Sequence, residues 1–120
     1  KGRPKKLIDE QTPELIKSVG GELKSFEPDE IIQFLMLPMI MESARCLEDG
    51  IVSTPQEVDM GLIYGLGFPP FRGGILKYVD KVGIDKICEQ AKAFEKFGKL
   101  YQPTEQMLKM AAECQKYYRR

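Results

Sequence analysis

The chain has 120 residues, enough for one domain with a single core. Its 18 basic residues balance 18 acidic ones, which leaves no global field to draw in nucleic acid or an anionic membrane. Histidine is absent, which excludes a Ser-His-Asp arrangement and any imidazole-based proton transfer within the chain.

Residues 1–24 read as a linker with one short helix. The basic start Lys1-Gly2-Arg3-Pro4-Lys5-Lys6 is turn-prone, and Thr12-Pro13-Glu14 opens a helix over residues 12–19, with Thr12 as N-cap and Gly20-Gly21 as its stop. The domain proper is expected over residues 25–120. Glu27-Pro28-Asp29-Glu30 begins a long helix that ends at Gly50. From Ile31 to Met41 it is apolar nearly all round, which predicts burial on several sides, and Pro38 should bend its axis. Thr54-Pro55-Gln56-Glu57 is a capping box that opens a second helix of the domain, ending at Gly65. After a Gly- and Pro-rich turn, Ile75, Leu76, Val79 and Val82 mark a third helix stopped by Gly83. A fourth is expected over residues 84–97, and Pro103-Thr104-Glu105 starts a fifth. No two-residue alternation suggests a strand, so the fold class is all-α, a single helical domain of about five helices.

Candidate chemistry is sparse. Gly65-Leu66-Gly67 invites a dinucleotide reading, but a helix precedes it and Pro69-Pro70 follows, so it reads as a helix cap and turn. The basic start resembles an AT-hook core, yet no net positive charge supports DNA binding. The carboxylate pairs Asp29/Glu30, Glu48/Asp49 and Glu57/Asp59 sit at helix ends, where capping and solvation explain them. Cys46, Cys88 and Cys114 form no CxxC motif and read as reduced thiols of a cytoplasmic protein, with no metal site. No apolar run is long enough to span a bilayer. The start at Lys1 fits a piece of something longer.

Two stretches carry a resemblance. The run Leu37-Pro38-Met39-Ile40-Met41-Glu42 onward to Gly50 comes first; Thr54-Pro55-Gln56-Glu57 and Gly65-Leu66-Gly67-Phe68-Pro69-Pro70-Phe71-Arg72-Gly73-Gly74 follow in order. Together they resemble the 3-hydroxyacyl-CoA dehydrogenase C-terminal domain family, over residues 27–98 most clearly. The Gly-Phe-Pro-Pro-Phe-Arg-Gly-Gly form is most similar to the last, second-copy domain of bacterial multifunctional fatty-acid oxidation α subunits.

The resemblance implies a helical fold like the C-terminal domain of 6-phosphogluconate dehydrogenase. It also implies a preceding NAD domain that bears the family's catalytic His–Glu pair, so NAD belongs to the full-length protein and no cofactor to this chain. The family's Asn-Arg pair, five residues before the helix proline, falls on Gln33 and Phe34, so this copy departs from the functional pattern. The implied role is a non-catalytic pseudo-dimer partner in fatty-acid β-oxidation, inactive by itself. Its expected partners are the preceding dehydrogenase domains and a thiolase β subunit, with a homodimer when isolated.

The residues expected to matter are structural: Pro38, Met36, Met39 and Ile40 on the central helix, and Gly67, Pro69, Gly73 and Gly74 in the turn. Arg72 and Lys77 are conceivable CoA phosphate contacts, though ordinary surface cations explain them better. The rival reading is a free-standing helical interaction module.

Overall fold

A computed structural model describes residues 9, 11–21 and 24–118; the basic start at residues 1–6 lies outside them. The elements are α1 (Thr12–Gly20), α2 (Pro28–Glu48), α3 (Pro55–Leu66), α4 (Ile75–Val82), α5 (Ile84–Lys92) and α6 (Glu105–Ala112). Single 3-10 turns lie at Pro70–Arg72, Glu95–Phe97 and Lys99–Tyr101. There is no strand among the described residues, so the all-α expectation holds.

The central helix α2 starts with Pro28, whose missing N–H costs nothing in a first turn, and Asp29 and Glu30 complement the positive helix end. It packs against α3, α4 and α5. Its side chains Leu37, Ile40, Met41 and Ala44 are fully enclosed and meet Ile75, Leu76 and Val79 of α4 and Ile87 and Ala91 of α5 in one core. Met107 and Met110 of α6 close that core from the other end. At about 1.5–3 kcal/mol for each large apolar side chain buried, this contact set is the main stabilising term.

α2 runs through Pro38 without interruption. Proline has no N–H to give the carbonyl of Phe34, and the hydroxyl of Tyr101 donates to that oxygen instead, at 3.2 Å. The capping box at α3 forms as expected. Glu57 N–H donates to Thr54 Oγ1, and Glu57 Oε2 accepts from the backbone of Ser53 and Thr54.

Four details differ from the sequence reading. Gln11, not Thr12, is the N-cap of α1. α3 runs past Gly65 to Leu66, because the left-handed residue that terminates it is Gly67, at φ +71°. The helix expected over residues 84–97 ends at Lys92. Turning the chain there brings Phe94, Phe97 and Tyr101 together on Phe34, with ring centroids 5.3–6.3 Å apart. Finally, α2 is not buried along its whole length. Leu37 is its first enclosed residue, while Ile31, Ile32 and Leu35 are exposed, since the core helices pack on the part of α2 beyond them.

Candidate functional site

Residues 67–74 form a rigid corner between α3 and α4. Gly67 caps α3, Pro69 is half-buried, and Phe68 is enclosed in the core, its N–H donating to the Leu62 carbonyl at 3.1 Å. Gly73 and Gly74 then turn the chain at φ +82° and +116°, a backbone that L side chains rarely adopt.

α4 has no capping side chain of its own, because its N-cap is Gly74. Asp59 of α3 supplies the missing acceptor. Its carboxylate, only 2% exposed, accepts from Leu76 N–H at 2.8 Å, from Lys77 N–H at 3.1 Å and from the Tyr118 hydroxyl at 2.6 Å. A negative group at a helix N-terminus is favoured both by the free N–H groups and by the dipole. The approach is so close that a Cβ on Gly74 would lie 2.1 Å from Asp59 Cγ.

A second carboxylate fastens the end of the described chain. Asp80 accepts from the backbone N–H groups of Tyr117 and Tyr118, both at 2.9 Å. Desolvation first, then the Asp59 hydrogen bond, raises the pKa of Tyr118. Burial likewise raises that of Tyr117, whose enclosed hydroxyl has no hydrogen-bond partner among the described residues.

The residues expected to matter do not form one cluster. Gly67, Pro69, Gly73 and Gly74 share the corner around Asp59. Ile40 is core, and Met36 and Pro38 are half-buried on α2. Met39 instead lines an apolar groove of about 360 Å³ between α2 and α3, with Ile51, Leu62 and Leu66. Arg72 lies over the rings of Phe71 and Tyr78, and Lys77 over that of Tyr118 at 4.3 Å; both residues are exposed. Gln33 is half-buried, and Phe34 belongs to the aromatic cluster.

A dinucleotide does not fit the glycine-rich segment. Gly65 lies within α3, and Asp59 already occupies the amide groups that open α4. No group of three or more His, Cys, Asp or Glu side chains among the described residues is placed to hold a metal ion. No helix among them is long and apolar enough to cross a membrane. The buried Asp59 carboxylate, held by three donors, fixes the corner between α3 and α4.

Residues 31–120 match the family described as 3-hydroxyacyl-CoA dehydrogenase, C-terminal domain. The chain belongs to that family. Within this 3-hydroxyacyl-CoA dehydrogenase C-terminal domain, sequence reasoning overlooked Asp59, Tyr101 and Asp80. It read Asp59 with Glu57 as a pair at a helix end, explained by capping, the helix dipole or solvation. Two signals pointed the other way: a helix start at Gly74 with no capper of its own, and a proline that leaves the Phe34 carbonyl without a donor.

Proposed function

We propose that the chain is a non-catalytic copy of its family's helical domain, belonging to a multifunctional enzyme of fatty-acid β-oxidation. On this reading it stands in for a dimer partner and keeps the dehydrogenase cleft of the preceding domains in shape. One observation carries the proposal. The positions that match the family's Asn-Arg pair are Gln33 and Phe34, and Phe34 packs edge-on against Phe97 with centroids 5.3 Å apart. A phenyl ring, whatever it packs against, offers a substrate carbonyl no N–H or O–H donor, and the sequence holds no histidine to take a proton.

The groove between α2 and α3 is the surface we assign to the sister domain. Ile51 and Leu66 at its edges are exposed, and an apolar concavity of this kind suits a helix of a neighbouring domain. The same reading places the protein in the cytoplasm, beside a thiolase β subunit, with NAD held by the preceding domain.

NADH formation from a 3-hydroxyacyl-CoA tests the proposal. The isolated chain should form none, and the full-length polypeptide should be active. Ile51→Asp together with Leu66→Asp in the full-length polypeptide should lower that activity at least tenfold while the isolated domain keeps its thermal midpoint. Turnover by the isolated chain, or full activity in the double variant, would overturn it.

A further inference from the structure

The structure leaves two apolar surfaces without cover, and they are neighbours in sequence. α1 is nine residues long and buries none of them; Leu15 and Val19 are 66% and 85% exposed, and Ile16 also faces solvent. The first nine residues of α2, 28–36, come before its first enclosed side chain, and Ile31, Ile32 and Leu35 stand open on them. Beside Ile31 lies a cavity of about 320 Å³ walled by Phe26, Phe34, Phe94 and Phe97, with Glu30 at its edge.

We infer that α1 folds back over the first turns of α2 as the outer arm of a helical hairpin, so that its aliphatic face covers Ile31, Leu35 and the mouth of the aromatic cavity. Three observations name α1 as the occupant. A nine-residue helix with no side-chain cap is below the roughly 12–15 residues at which an isolated helix becomes even marginal in water, so α1 needs a surface to persist. The connection, residues 21–27, has seven residues, within the roughly two to eight that join antiparallel neighbours in helical bundles.

The apolar register agrees as well. In an antiparallel register that sets Val19 against Ile31, Leu15 meets Leu35, and both pairs lie on one face of each helix. The tether also favours this chain's own α1 over a second copy, since a short linker holds it at an effective concentration in the roughly millimolar range.

Amide hydrogen exchange on the 120-residue chain tests the hairpin. Residues 16–20 should exchange at least tenfold more slowly than the unstructured rate, independently of protein concentration. Leu35→Asp should abolish that protection and leave α4 as protected as before, because Leu35 is exposed and touches no core packing. Exchange of residues 16–20 at the unstructured rate in the parent chain would overturn the inference. So would protection that survives Leu35→Asp, or that rises with concentration as docking on a second copy requires.

Discussion

Asp59 shows how much of this corner rests on one side chain. It caps a helix seventeen residues downstream, and the space it needs is the space a side chain at position 74 would fill. The glycines of the turn are therefore unequal. Gly67 is left-handed, and a Cβ added there would meet no atom within 4 Å, so Gly67→Ala carries only the left-handed penalty of about 1–2 kcal/mol. Gly73→Val adds contact with the Lys77 side chain, 3.1 Å from the new Cβ, to a similar backbone penalty. Gly74→Ala must displace a buried carboxylate bound to three donors and should cost more than about 3 kcal/mol. Denaturant unfolding of the three variants should rank them in that order. A Gly74→Ala protein as stable as Gly67→Ala would show that Asp59 is not held where the structure places it. The need for glycine here is legible in the sequence, and the uncapped start of α4 shows that an acceptor is missing; that Asp59 supplies it is not legible, because it arrives from another helix.

At the level of elements, the starts of the domain's helices were legible, while the N-cap of α1 and the ends of α3 and α5 were not. Thr54 and Glu57 form a capping box that any reader of the sequence can find, and Gly83 and Gly50 stop their helices by local backbone preference. The end of α5 is set by the attraction of Phe94, Phe97 and Tyr101 for Phe34, some sixty residues away in sequence, which no local pattern contains. That cluster also mends α2. Pro38 leaves the Phe34 carbonyl without a helical donor, and the Tyr101 hydroxyl supplies one. The two residues should therefore be coupled. Tyr101→Phe in the parent chain should cost about 1 kcal/mol, a typical net value for one hydrogen bond. In a Pro38→Ala background the new alanine N–H can satisfy Phe34, and the same change should cost close to nothing. A double-mutant cycle on unfolding free energies reads the difference directly, and strict additivity would mean that the hydroxyl does not replace the lost amide.

For the molecule as a whole, the surface departs from what a solitary monomer needs. The groove between α2 and α3 is apolar and open, with Ile51 and Leu66 mostly in solvent at its edges and Met39 and Leu62 along it. An equal count of basic and acidic residues supplies no net repulsion to keep two copies apart. A two-fold pairing that sets the exposed rim residues Ile51 and Leu66 of two copies against each other covers both grooves and requires no other partner, so the isolated chain should dimerise there. The groove is small beside the roughly 800 Å² per partner of a standard stable interface, which makes the pairing weak. A dissociation constant on the order of 10 µM, about −7 kcal/mol, is the expected strength. Sedimentation equilibrium across that concentration range should show monomer giving way to dimer, with no larger species because the pairing is closed. Ile51→Asp with Leu66→Asp should return a monomer at every concentration and, measured well below that range, leave the thermal midpoint in place, since neither side chain belongs to the enclosed core. A parent chain that stays monomeric well above that range would mean the groove is too shallow or too polar at its rim to hold a helix, and the same observation would remove the physical support for a sister domain seated there.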